Sequence, residues 1–236
     1  CNQFQIALVA RGRGTNTTGA TVPIEGGIVL SFERMNRIID IRAGDRVAIV
    51  EPGVLNGDLQ NALKPFGLFW PPDPTSAAYS SIGGNLACNA GGPRAVKYGA
   101  SRDNVLAVTA ITGDGEWVQC GAAVTKSASG YDLSRLLIGS EGTLGLFTEA
   151  TLHTAPLPAF RGVVLLLFSD LESALRSVPV IARQQPSACD LLDRRLLSLA
   201  READTRFDKL ISPAAEAALL VEQTGFSDRQ IRDRIA

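Results

Sequence analysis

Histidine is nearly absent from this chain: His153 is the only one in 236 residues. A metal centre built on paired histidines is therefore impossible within it, and a Ser-His-Asp triad has only His153 to use. The apolar strand Gly145–His153 gives that histidine an ordinary structural place. Charge of either sign is also lacking in excess. Lys+Arg is 23 and Asp+Glu is 24, a net charge of -1, and no Lys/Arg run occurs, so a basic footprint for nucleic acid is excluded. Long hydrophobic runs are missing too. The longest, Val163 to Phe168, has six residues, against about 20 for a membrane-spanning helix. No basic-then-apolar leader opens the chain. Cysteine is sparse: Cys1, Cys88, Cys120 and Cys189 never stand closer than 32 positions. That excludes a zinc knuckle and a CxxC pair and fits free thiols in a reducing compartment. Met35 is the lone methionine and residue 1 is Cys, so a fragment or a processed chain is expected.

Several motifs are absent as well. Gly14 and Gly19 have the spacing of a phosphate P-loop, but Ala20 stands where its lysine belongs. No GxGxxG supports a nicotinamide-binding Rossmann unit, and no GxSxG marks a nucleophile elbow. Asn16-Thr17-Thr18 matches a glycosylation acceptor, a pattern too short to carry weight without a leader.

Glycine is what the chain has, unevenly. All but Gly162 and Gly225 of the 23 glycines precede residue 160. The change falls at Ala155-Pro156-Leu157-Pro158-Ala159, where two prolines stop a helix or a central strand, and a domain boundary is expected there. Before it, Ile6–Ala10, Gly27–Ser31, Val47–Glu51, Val105–Thr112, Glu116–Cys120 and Gly145–His153 read as strands. Gly113-Asp114-Gly115 reads as a hairpin turn. Asn56 and Asp132 read as caps of short helices over Gly57–Lys64 and up to Ile138. After the boundary strands and helices alternate: Arg161–Phe168, a helix capped at Ser169-Asp170 that Pro179 is expected to kink, Ala188–Leu192, a helix over Arg194–Ala203, Ala217–Glu222, and a last helix capped at Ser227-Asp228.

Three glycine clusters stand out: Arg11-Gly12-Arg13-Gly14-Thr15-Asn16 after an apolar strand, Ser81-Ile82-Gly83-Gly84-Asn85 continuing to Asn89-Ala90-Gly91-Gly92, and Gly139-Ser140-Glu141-Gly142-Thr143-Leu144-Gly145. Glycine admits positive φ and close approach of a ligand, and consecutive amides make anion-binding nests. Arg11 and Arg13 would add charge for a pyrophosphate. Tight turns use glycine in the same way, but three clusters with embedded Ser, Thr and Asn point to one extended ligand held by several loops. Trp70-Pro71-Pro72-Asp73-Pro74 reads chiefly as a rigid turn. Cys88 reads as a small buried apolar filler. Glu141 also reads as the cap of its own turn.

The segments ARGRGTNTTGATVP, PPDPTSAAYSSIGGNLACNAGGPRAVKYG and SGYDLSRLLIGSEGTLGLFTEATL, in that order, resemble the FAD-linked oxidases of the vanillyl-alcohol-oxidase/p-cresol-methylhydroxylase (PCMH) fold. Their branch is that of the glycolate oxidase catalytic subunit and D-lactate dehydrogenase. The resemblance is dense over residues 8–153. It implies an α+β chain: an N-terminally incomplete FAD-binding PCMH-type domain over 1–155, then the start of a ferredoxin-like α+β cap over 161–236, C-terminally incomplete. It places the flavin pyrophosphate on the first loop, with Arg11, Gly12, Arg13, Gly14, Thr15, Asn16 and Gly19 as cofactor-binding candidates. Asp73, Ser81, Ile82, Gly83, Gly84, Asn85, Glu141 and Thr148 complete the set. Thr15 stands where some relatives carry a flavin-linking histidine, so non-covalent FAD is expected. Ala10 and Arg13 depart from the usual proline and glycine.

The chemistry implied is oxidation of a small 2-hydroxy acid of glycolate or D-lactate type to the 2-oxo acid, by hydride transfer to flavin N5. The family's substrate- and metal-binding histidines lie in its C-terminal half, so no catalytic residue and no metal ligand is named here. A D-2-hydroxyglutarate-type dehydrogenase and a non-catalytic flavin-binding subunit of an oxidase complex are the alternatives. The NADPH-dependent reductase of cell-wall precursor synthesis, on the same fold, is disfavoured by GSEGTLG. The electron acceptor is unidentified, and partner subunits or a homo-oligomer are compatible with the family. A cytoplasmic place is expected, peripheral to the membrane if electrons go to a quinone or cytochrome.

Overall fold

The computed structural model describes residues 1–235. Two compact units make up the chain: Cys1–Gly92 with Tyr98–Leu157, and Pro93–Lys97 with the chain from Pro158 onward. Among the described residues, no helix is long and apolar enough to cross a membrane.

The first unit opens with a parallel pair, β1 (Leu8–Arg11) and β2 (Ile28–Ser31). Its main sheet is antiparallel. It is built from β3 (Ile38–Arg42), β4 (Val47–Val50), β6 (Val105–Thr112), β7 (Trp117–Gly121) and β8 (Gly145–His153), in the order β3-β4-β8-β6-β7. The β6–β7 hairpin turns through Gly113–Gly115 as expected, with Gly115 at φ 88°. Strand β3 was not foreseen. Its turn back into β4 carries no Asn-Gly signal, because the left-handed residue there is Arg46, at φ 56°.

Helix α1 (Asn56–Leu63) packs Leu59 and Leu63 on the sheet, beside the two-residue strand β5 (Leu68–Phe69). Helix α2 (Ile82–Ala87) adds Ile82 and Leu86 to the same core, against Val50, Val108, Ala150 and Leu152. Each such side chain removed from water contributes roughly 1.5–3 kcal/mol. Asn56 does not cap α1. Leu55 holds that position, and the Asn56 amide instead donates to Pro72 O at 3.1 Å and to Asn85 Oδ1 at 3.0 Å. Burial of both asparagines makes that pairing worth more than an exposed cap. Trp70 is fully buried and donates its indole N–H to Asn104 O, while Gln60 brackets its backbone from both sides. The proline segment is thus an anchored turn.

A single turn, α3 (Ala95–Tyr98), precedes β6, and α4 (Leu133–Leu137) follows β7. Asp132 caps α4 as foreseen, accepting from Arg135 N. Past β8, the short strand β9 (Ala155–Pro156) pairs with β5.

In the second unit β10 (Phe160–Phe168), β11 (Ala188–Asp193) and β12 (Ala217–Gly225) form an antiparallel sheet in the order β10-β12-β11. Helix α5 (Leu171–Ala182) covers one face through Ala174, against Leu219 and Val221. Helix α6 (Arg194–Ala203) covers the other through Leu197, against Ala218. Asp170 and Asp193 cap these helices, accepting from Ser173 N at 2.7 Å and Leu196 N at 2.8 Å. The helix α5 runs on through Pro179 to Ala182. Helix α7 (Asp228–Ile235) follows β12, with Ser227 Oγ accepting from Gln230 N.

Candidate functional site: a cleft lined by three glycine clusters

One short helix organises the site. Ser81 caps α2, its hydroxyl accepting from Gly84 N at 3.3 Å. Two glycines inside a helix cost roughly 1 kcal/mol each by propensity; tertiary packing requires Gly83 here. A Cβ on Gly83 would stand 2.6 Å from Pro52 Cβ, and Gly83 N donates to Pro52 O at 2.7 Å.

The first cluster begins where β1 ends and reaches the start of α2. A Cβ on Gly12 would stand 2.4 Å from Ser81 Oγ. Gly14 turns at φ 66°, and Arg11 folds back across it. The third cluster docks on the other end of α2, where Gly139 N donates to Leu86 O and Glu141 N to Ala87 O, both at 2.9 Å. Glu141 is held at φ 52°, an uncommon conformation for a non-glycine residue, next to Gly142 at φ 83°. Its carboxylate accepts from Thr18 Oγ1 at 3.2 Å, closing the circuit between the first and third clusters.

The three clusters together line one cleft. Of the expected residues, Gly12, Arg13, Gly14, Thr15 and Asn16 line it from the first loop. Ser81, Gly83, Gly84 and Asn85 line it from α2, and Glu141 from the third loop.

Five others stand elsewhere. Arg11 packs on Gly14. Gly19 has open space around it and serves a turn at φ 77°. Ile82 is fully buried in the core. Thr148 donates its hydroxyl to Thr109 O within the sheet. Asp73 lies against Gly92, where a Cβ would meet its backbone and carboxyl oxygens at 2.4 Å.

Sequence reasoning missed Thr21, Phe32, Pro52, Ser76, Gly142 and Phe147, which also line the cleft. Gly142 carried a signal, as part of the third cluster. The rest lie apart in sequence and have no local mark. Cys88 corrects an expectation, since it is exposed rather than buried and forms part of the cleft wall. Partial loss of water, with the Glu141 charge added, raises its thiol above the ordinary range, while Asn16 pulls the other way. A raised thiol is a poor nucleophile at neutral pH. His153 ends β8 opposite Val47, away from the cleft. Burial and the nearby Arg46 push its imidazole down. All four cysteines are free.

Residues 1–121 match the family model of the FAD binding domain, and residues 157–236 that of the C-terminal domain of FAD linked oxidases. The glycolate oxidase subunit GlcD of Bacillus subtilis (strain 168) is 39% identical over 236 residues, covering 99% of this chain and 49% of that protein. A D-lactate dehydrogenase of Anaerostipes hadrus is 36% identical over 243 residues, covering 100% of this chain and 50% of its own. The chain thus spans about half the length of these relatives. Among solved structures, an alkyldihydroxyacetonephosphate synthase superposes with a TM-score of 0.80 at 21% identity, over 99% of this chain and 45% of that one; the likeness is one of fold. A PCMH-type α+β unit with three glycine clusters around one cleft, followed by an α+β unit of the oxidase C-terminal type, places the chain in a definite group: it belongs to the FAD-linked oxidases.

Proposed function

We propose that the cleft of the first unit holds FAD without a covalent bond, and that the native protein uses it to oxidise a small 2-hydroxy acid to the 2-oxo acid. The observation that carries this reading is the meeting of all three glycine clusters on α2 in a chain of the FAD-linked oxidase family.

The residues suit the group. Gly12 and Gly83 let the first loop and Pro52 pack closely on α2, which forms one wall of the cleft. Gly14 and Gly142 bend the walls at positive φ. Hydroxyl and amide groups of Thr15, Asn16, Ser81 and Asn85, with the Arg13 guanidinium, supply the donors a dinucleotide phosphate requires. Thr15 cannot form the histidyl link of some relatives, which supports non-covalent binding. Arg11, Gly19, Asp73, Ile82 and Thr148 enter this proposal as residues that shape the loops around the site.

Bound FAD supplies the hydride-accepting N5 position. The chain's own part is to bind and orient the group and to keep water from it with Phe32, Pro52 and Phe147. Residues 1–155 serve as the flavin-binding part and residues 161–236 as the start of the substrate-side cap. The names of the two curated relatives support glycolate or D-lactate as substrate. One of them is named as a subunit, which supports partner chains in the native assembly.

The visible spectrum of the purified native protein tests this. Oxidised-flavin bands that leave the chain on denaturation, and that bleach anaerobically with glycolate or D-lactate, are expected. Bands that stay with the denatured chain overturn the non-covalent reading. A protein that takes up no FAD overturns the cofactor, and a bound flavin that no short 2-hydroxy acid bleaches overturns the substrate.

A further inference from the structure

Arg13 and Glu141 are the charged side chains on the cleft wall among the described residues, and they differ in what holds them. Glu141 is fixed by its own backbone hydrogen bond and by Thr18. The guanidinium of Arg13 rests on Glu33, just beyond β2, with Nη1 and Oε1 3.2 Å apart. Both partners are substantially exposed, 39% and 50% of their side-chain surface. An exposed pair of this kind contributes little and is given up cheaply. Position 13 is not among the left-handed residues of the loop, so a side chain is accommodated there without strain between Gly12 and Gly14.

While Arg13 is engaged by Glu33, the charged lining of the cleft is weighted toward the Glu141 carboxylate. A dinucleotide diphosphate brings two further negative charges. Arginine, with its planar fork of donors, is the side chain suited to meet them. We propose that Arg13 exchanges Glu33 for the cofactor diphosphate on binding, and that Glu33 is a built-in competitor that sets how tightly the first loop holds the group. This inference rests on the cofactor reading above.

The test is a titration of the native apoprotein with FAD, followed by quenching of flavin fluorescence. Arg13→Ala weakens binding about tenfold, the scale of one charge-assisted contact. Arg13→Lys restores part of the loss, since the charge is kept and the fork is not. Glu33→Gln tightens binding about threefold, the scale of an exposed ion pair. In the Arg13→Ala background, Glu33→Gln changes nothing. Both positions are exposed, and equal thermal melts of the apoproteins verify that the variants are folded. Unchanged affinity in Arg13→Ala, or a Glu33→Gln effect that persists without Arg13, overturns the exchange while leaving the cofactor reading standing. Failure of the unaltered protein to bind FAD overturns both.

Discussion

The two units hold their backbones together by different means. In the first, glycine is required by contact with other backbone. A Cβ on Gly53 would stand 2.1 Å from Phe32 O and 2.6 Å from Met35 O, and one on Gly27 2.3 Å from Ala7 O. Peptide groups cannot yield without moving a strand. The second unit has two glycines in the described sheet, and their nearest neighbours are side-chain atoms. A Cβ on Gly162 would meet Ile235 Cδ1 and Ile231 Cγ2 on α7, and one on Gly225 the tip of Gln230. Side chains can shift there without moving a strand. A cleft for a large ligand needs main chain to run close to main chain; a helix-on-sheet layer needs only apolar faces that mesh.

Each unit also buries one carboxylate, and these differ in the same way. Glu51 receives the backbone and guanidinium of a single residue, the exposed Arg37. Glu222 on β12 gathers three separate segments: Arg94, Arg161 and the fully buried Ser187. Burial pushes the Glu222 carboxyl up, but hydrogen bonds from Arg94 and Ser187 and the charges of Arg94 and Arg161 outweigh it, and the group lies below the usual carboxylate range. The Arg37 hydrogen bonds do the same for Glu51.

The largest effect that tests this contrast is Glu222→Ala. Taking the anion from a buried network costs about 3–5 kcal/mol, and denaturant unfolding monitored in the native protein reads it. The folded-state value of Glu222 lies below the unfolded one. Its contribution is therefore complete above about pH 4.3 and is lost as pH falls through the lower folded-state value. Stability that falls less steeply with acid in the variant confirms the assignment; an unchanged acid profile refutes it. Glu51→Ala, losing one exposed partner, costs less than Glu222→Ala.

Next in size is the glycine pair. Gly53→Ala destabilises by about 3 kcal/mol, since backbone must move, whereas Gly162→Ala costs about 1.5 kcal/mol because only the Ile235 and Ile231 side chains must shift. Equal losses at the two sites would erase the contrast between the units. The smallest effect is Asp193→Ala, which deprives Leu196 N of its cap and costs about 1 kcal/mol, visible as a small fall in melting temperature.

Much of this was legible beforehand, for local reasons. The acidic caps Asp132 and Asp170 announced their helices because the bond each makes lies within three residues. The continuous apolar run 163–168 read as a strand, and it lies in β10. The three glycine clusters were read as belonging together, and residues of all three line one cleft. Helix α2 was not legible: Ile82-Gly83-Gly84-Asn85 reads as loop by propensity, and the Ser81 cap, burial of Ile82 and Leu86 and close packing on Pro52 hold it as a helix. Asn56 looked like a cap, yet Asn85, 29 positions away, claims its amide.

Composition alone determined the glycine-dense first part, the glycine-poor second and the absence of a paired-histidine metal centre, while the α+β class followed from the resemblance carried by the three motifs. The sequence also marked the three glycine clusters whose residues line one cleft. Tertiary structure alone decided which of them face the cleft. It turned Ile82 into the core, set Arg13 on Glu33 and brought Cys88 to the wall. It also gave Pro93–Lys97 to the second unit although the flanking chain belongs to the first. The reason is range. Backbone preference and apolar period act over a few residues and are written locally. The direction a side chain takes is decided by burial and pairing against segments tens of residues away, whose positions exist only once the chain has folded.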